Sequence, residues 1–307
     1  MLVILPASEP LWLKAYGYCN AAISVLLLSF SKFLKVKTPM KYCRFVSSEG
    51  PRYGIIENIA GADQITHIAQ GEEIPDFLGA KKVAPIQLAS AKLLAPVQPQ
   101  KIVCVGRNYR DHIKELGNDE PAEPVIFLKP QTSLIGPGDK IVRPKHLSQR
   151  VDYEAELTIV IGKRCRFVGD KNQVDNEDVK PYILGYTCAN DVTTRDLQRK
   201  DGQWTRAKSF DTFCPVGPIV TDEIDPWAGV RVESYVNGVV KQSESTTAFI
   251  FPVDVIVRFC AAVMTLLPGD LILTGTPAGI GSIVAGDEVA ITIQGIGSLK
   301  NPVVDSE

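Results

Sequence analysis

The chain has no C-x-x-C pair, no G-x-G-x-x-G run and only three histidines in 307 residues. The lack of thiol pairs argues against a thiolate zinc site. The seven cysteines (Cys19, Cys43, Cys104, Cys165, Cys188, Cys214 and Cys260) are scattered and odd in number. That argues against a disulfide framework and reads as reduced structural thiols of a cytoplasmic protein. With neither the glycine fingerprint nor an alternating strand–helix pattern, a Rossmann domain has no support. Aromatics make up only 7% and no basic stripe interleaves with them, so a stacking platform for nucleic acid is not expected. A net charge of −2 and a pI near 6.0 give no reason to expect nucleic acid or an anionic membrane as partner.

What is present is an ordinary globular mix, 45% hydrophobic and 22% charged. Residues 15–31, "AYGYCNAAISVLLLSFS", carry no charge. They are short for a membrane span, and the basic "KFLKVK" follows them, the wrong flank for a signal peptide. Three readings stay open: a weak signal-anchor, a membrane-associated tail, or an extension upstream of a start at Met40. The third is adopted, because "MKYCRFVSSEG" reads as a natural beginning. No membrane is expected unless residues 15–31 are a real anchor.

From residue 40 the texture is β-rich. "KYCRFVSSEGPRYGIIENIA" signals a hairpin. "LLAPVQPQK", residues 93–101, reads as a linker, and the domains divide as 1–39, 40–98 and 99–307. "KIVCVG" and "EPVIFLKP" are short strands. Between them "NYRDHIKELG" is helical, with Asn108 as its cap and Gly117 as its stop. "VNGV" at 236–239 is a type I′ hairpin signal. "PVDVIVRFCAAVMTL", residues 252–266, has helical apolar spacing. The fold expected is a mixed β-rich α+β body, a closed or rolled sheet with a few helices.

The segment "RVDYEAELTIVIGK", residues 150–163, leads three acids into an apolar run. Read as one strand, it puts Asp152, Glu154 and Glu156 on a single face. Three like charges there repel unless a cation compensates, and hard oxygen ligands suit Mg²⁺, Mn²⁺ or Ca²⁺. A solvated edge-strand end would explain the same pattern. Asp191, in "CANDVTTRDLQ", fits an N-cap equally well. Arg195 and Asp196 could be surface charges, and Lys208 an exposed lysine. His112 and Glu115 are three apart, so a helix puts them on one face, where the carboxylate raises the imidazole's basicity. An ordinary exposed pair has the same spacing. His67 and His146 read as structural or surface residues.

The motifs "GRNYRDHIKELG", "FLKP", "DYEAELTIVIGK", "GYTCANDVTTRDLQ", "AKSFDTFCPVGP", "VNGVVKQ", "TLLPGDLILTGTPAGIG" and "GDEV" occur in this order. Over residues 101–303 the chain thus resembles the fumarylacetoacetate hydrolase family. It is most similar to members acting as acylpyruvases, oxaloacetate decarboxylases or 2-hydroxyhepta-2,4-diene-1,7-dioate isomerases of aromatic catabolism. The resemblance implies a β-roll or sandwich catalytic domain with a small N-terminal domain, usually as a homodimer. It implies Glu154, Glu156 and Asp191 as ligands of Mg²⁺ or Mn²⁺, and His112, Glu115 and Lys208 as catalytic residues, the first two on a lid segment. Arg107, Arg195, Gln198 and Thr276 fall where the family binds a small keto acid. Residues 1–39 have no counterpart, and Asp152 receives no role. The implied reaction is hydrolytic C–C cleavage of an acylpyruvate through a pyruvate enolate, with decarboxylation and isomerisation as alternatives on the same site.

Overall fold

The apolar run after the acids becomes strand Ala155–Ile161, buried along its whole length on both faces. Such a run belongs in the middle of a sheet covered on both sides. In the computed structural model, which describes residues 40–69, 77, 79–169 and 171–307, that is where it lies. The largest sheet has twelve strands. Its hydrogen-bonded order is Lys81–Gln87, Ala62–Ile68, Gly50–Ile59, Lys41–Ser47, Cys214–Thr221, Ile183–Asn190, Ala155–Ile161, Leu271–Leu273, Ile102–Gly106 and Val125–Lys129. Leu93–Leu94 and Leu134–Ile135 pair beside this path.

A five-stranded sheet, ordered Val239–Ser245, Arg231–Val236, Glu288–Ile293, Gly297–Asp305 and Ile141–Arg143, packs on the central strands. The core between them includes Leu157, Ile159, Cys188, Val232, Ile291 and Leu299. A third sheet of three short strands, Thr193–Thr194, Val151–Tyr153 and Gly281–Ser282, borders the site. The fold is therefore the β-rich roll expected, with few helices.

Local signals map onto it. Residues 41–59 form the antiparallel hairpin. Asn237 and Gly238 both have positive φ, as a type I′ turn requires. The amphipathic helix is Val253–Val263. The stretch 93–101 is tied down, since Leu93 and Leu94 pair with strand Lys41–Ser47 and Val97 is fully buried.

Two local expectations are corrected. Residues 150–163 are not one strand: they break at Glu154 into Val151–Tyr153 and Ala155–Ile161, which belong to different sheets. Asn108 is not the cap of helix Arg110–Glu115, whose N-cap is Tyr109 without a side-chain bond. The Asn108 amide instead ties the start of that segment to the Thr274 and Phe251 carbonyls, and accepts from the Phe251 N–H. Six cysteines are buried and unpaired. Cys19 and the uncharged run 15–31 lie outside the described residues. Among the described residues, no helix is long and apolar enough to cross a membrane.

Candidate active site and metal centre

Antiparallel register assembles the acids. Ala155 pairs with Asn190, so the ends of their strands lie side by side. The Glu154 N–H donates to Asn190 Oδ1 at 2.9 Å, and the Asp191 N–H donates to the Glu154 carbonyl at 2.9 Å. Gln242, from the five-stranded sheet, accepts from the Ala155 N–H at 3.0 Å and donates to Thr276 Oγ1 at 2.8 Å. One buried amide thus steadies the strand break and the opposite wall of the site. The result is a cluster of Glu154, Glu156 and Asp191, all buried, with ligand oxygens within 4.8 Å of one another.

Cations surround two of the three acids. Lys208 Nζ donates to Glu154 Oε2 at 2.8 Å and to Asp191 Oδ2 at 2.5 Å. Lys129 Nζ donates to Asp191 Oδ1 at 2.6 Å. Arg195 Nη2 donates to Glu154 Oε1. Burial pulls the Lys208 ammonium down, but the Asp191 and Glu154 charges more than offset it and hold it above the usual lysine range. Burial likewise opposes ionisation of Glu154, yet Lys208 and Arg195 hold its carboxyl well below the ordinary value.

Glu156 is different. Its one hydrogen bond is from the Gly275 N–H, at 2.6 Å. Burial, then the Asp191 and Glu154 charges, push its carboxyl well above the usual range. Gly275 is required there: its φ is +96°, and a Cβ would sit 2.7 Å from that of Asn108. A buried carboxylate with neighbouring acids and no cation of its own is a poor resting arrangement. An all-oxygen donor set with spare lone pairs on each carboxylate fits a hard divalent cation.

A cavity of about 200 Å³ opens on this cluster. It brings together His112, Arg107, Arg195, Gln198, Lys208 and Thr276 with the three acids. Glu115 stands behind His112: its Oε2 meets His112 Nδ1 at 3.0 Å, and its Oε1 accepts from the Gly279 N–H at 3.1 Å. Burial raises the Glu115 carboxyl, but the His112 and Gly279 hydrogen bonds outweigh it and lower it. Asp191 is no N-cap, and Arg195 is no surface charge; its side chain is 2% exposed. His67 and His146 are not among the residues lining the cavity.

Sequence reasoning assigned nothing to Lys129 or Gln242, and left Asp152 open. The signal for Lys129 was a charge closing the apolar run "VIFL", which a buried strand tolerates only with a partner. Asp152 proves to be a buried anchor, accepting from Arg195 Nε and Arg150 Nε, both at 2.9 Å.

Fold and acid cluster together define a mixed-sheet β-rich scaffold that gathers three buried carboxylates of a kind suited to a divalent cation. The family model for the fumarylacetoacetate (FAA) hydrolase C-terminal domain matches residues 101–304, and the chain belongs to that family. An Rv2993c-like N-terminal domain matches residues 40–96. Protein Rv2993c of Mycobacterium tuberculosis is 54% identical over 219 residues, 71% of this chain and 80% of its own. The crystal structure of 2-hydroxyhepta-2,4-diene-1,7-dioate isomerase from Mycobacterium marinum is 47% identical with a TM-score of 0.73, covering 87% of this chain and 99% of that one. Maleylpyruvate hydrolase from Sphingobium sp. SYK-6, solved with manganese(II) and pyruvate, is 32% identical with a TM-score of 0.68, covering 87% and 100%.

Proposed function

We propose that the chain is a Mg²⁺- or Mn²⁺-dependent enzyme that cleaves the C–C bond of a small acylpyruvate-type 1,3-diketo acid by hydrolysis. The observation that carries the reading is His112, buried against Glu115 and lining the same cavity as the three acids. A carboxylate only accepts, so Nδ1 carries the proton and Nε2 keeps its lone pair as a general base. A cavity of about 200 Å³ suits a substrate of a few carbons.

Glu154, Glu156 and Asp191 would hold the cation. Bound there, it would supply Lewis-acid polarisation of the 2-oxo and carboxylate oxygens. The chain's own groups do the rest. His112 takes a proton from water, and Glu115 steadies the imidazolium. Hydroxide adds to the distal carbonyl, the C–C bond breaks to give a carboxylic acid, and its electron pair passes to the enolate of the 2-oxo fragment, whose carbon then takes the proton back from the His112 imidazolium. Lys208 and Arg195 set positive charge where the enolate develops. Gln198, Thr276 and Arg107 orient the substrate oxygens. Helix Arg110–Glu115, latched to Gly279 through Glu115, shields the site from bulk water.

A second reading has support in the relative named as an isomerase. There His112 moves a proton between carbons and no water is added. Decarboxylation of oxaloacetate would use the same enolate stabilisation. Acetylpyruvate, oxaloacetate and an unsaturated 2-hydroxy diacid, each assayed with Mg²⁺ and with EDTA, separate them. Equal release of pyruvate and acetate supports hydrolysis. Turnover confined to isomerised or decarboxylated products selects the second reading. No cation-dependent turnover of any of the three sinks the proposal.

A further inference from the structure

Gln242 is buried on strand Val239–Ser245 and does not line the cavity, yet it bonds to a residue that does. Its Oε1 accepts from the Ala155 N–H at 3.0 Å. Its Nε2 donates to the Pro277 carbonyl at 2.7 Å and to Thr276 Oγ1 at 2.8 Å. A backbone N–H only donates and a carbonyl only accepts, so Ala155 and Pro277 decide which end of the amide is oxygen and which is nitrogen. Both hydrogens of the NH₂ are then in use, one on Pro277 and one on Thr276. Thr276 Oγ1 is therefore an acceptor toward Gln242, and its own proton is left to donate. Among the described residues that proton has no acceptor. Thr276 is 3% exposed and lines the cavity with Glu154, Glu156 and Asp191. The loop that carries it is pinned. Tyr153 Oη donates to the Gly279 carbonyl at 2.8 Å, and the Gly279 N–H donates to Glu115 Oε1. Gly279 has a φ of +102°, and a Cβ there would collide with the Lys241 carbonyl, so this close approach to the strand of Gln242 requires glycine.

We infer that Gln242 is a positioning residue: by donating to Thr276 Oγ1 it commits that hydroxyl to donate in turn to an oxygen of the bound acid. The inference rests on the 2-oxo-acid reading and adds to it a residue outside the cavity that sets the polarity of one wall. A threonine hydroxyl can donate or accept, and unaided it would serve a ligand O–H as well as a ligand oxygen. With the Gln242 amide on it, it favours an acceptor, which is what a carboxylate or an enolate oxygen offers. A site whose hydrogen-bond polarity is fixed in advance discriminates better than one that adapts.

The test is calorimetric and needs no turnover. The Mg²⁺-loaded full chain is titrated with oxalate, a dianion near neutrality whose oxygens only accept. Thr276→Val removes the hydroxyl, keeps the shape, and should weaken oxalate about tenfold. Thr276→Ser should stay within about threefold of the parent. Gln242→Met should weaken oxalate by about the same factor as Thr276→Val, because the hydroxyl is then free to turn, while the Mg²⁺-induced rise in Tm persists. The double variant should be within about threefold of either single one, since both act through one hydrogen bond. An amide that only holds the fold together gives losses that multiply. Gln242→Glu, of the same shape, goes through the same cycle and carries the test if Gln242→Met does not fold. Its readout is the part of the loss that disappears in Thr276→Val, so the general effect of an added charge cancels. Losses that multiply, or an unchanged oxalate affinity in Thr276→Val, overturn the inference and leave the 2-oxo-acid reading intact. Failure of oxalate to bind the parent overturns that reading, and the inference with it.

Discussion

Arg195 Nε donates to Asp152 Oδ2 at 2.9 Å, with the two side chains 2% and 0% exposed. That contact fixes a guanidinium whose other nitrogens reach Glu154 and Gln198. Asp152 is thus the anchor behind the cavity's charged face. Asp152→Asn should destabilise the protein by about 3 kcal/mol in urea unfolding, because it leaves a buried cation short of a counter-charge. Arg150→Gln, on the outer side of the same carboxylate, should cost under about 1 kcal/mol, since Arg150 is 45% exposed.

Glu156→Gln keeps the shape of the acid cluster and removes its uncompensated charge. Without divalent cation this variant should be as stable as the parent or more so. The parent should gain about 2.7 kcal/mol when Mg²⁺ or Mn²⁺ is present at a hundred times its Kd. The variant should gain almost nothing, and thermal unfolding with and without EDTA reads both effects. An equal metal-induced shift in parent and variant would remove Glu156 from the ligand set.

The same carboxyl sets a pH dependence. Its native pKa is raised above the ordinary 4.5. Its contribution to metal-free stability is therefore fully present below that value and is lost as pH rises through the raised native pKa. Below that raised pKa the cation must displace the Glu156 proton. Binding should tighten with pH and release about one proton, measurable by calorimetry in buffers of different ionisation enthalpy. Glu154, with its native pKa depressed, has the opposite sign: its contribution is present above 4.5 and fades only in strong acid.

The His112–Glu115 pair should separate chemistry from metal binding. His112→Ala should lower kcat by about 10²–10⁴ while keeping the metal-induced rise in Tm. Glu115→Gln should leave the fold in place and lower kcat, because the imidazole loses the carboxylate that holds its Nδ1. An unchanged rate for His112→Ala would exclude it as the general base.

Much of the architecture could be read from local patterns. The Asn-Gly turn at 237–238 and the helix at 253–263 each depend on a handful of adjacent residues, and adjacent residues are what a sequence displays. The break at Glu154 could not be read. Alternation predicts a continuous strand, whereas the Glu154 N–H bonds to the Asn190 side chain and the Ala155 N–H to Gln242, residues 36 and 87 positions away. Asn108 looked like a helix cap for the same reason: its true partners lie more than 140 residues on.

The kinds of group available are legible in the linear chain: three acids suited to a hard cation, a histidine with a carboxylate one helical turn away, and motifs ordered as in the fumarylacetoacetate hydrolase family. Those are properties of residue type and short spacing. How charge is distributed among them depends on the folded arrangement. Lys129 and Lys208 flank Asp191, Arg195 is divided between Asp152 and Glu154, and Arg107 and Arg199 are left facing the cavity. Coulomb interactions fall off with distance and strengthen where water is excluded, so pairing depends on which distant strands lie side by side. Register across the sheet sets that, and no local stretch of the chain contains it.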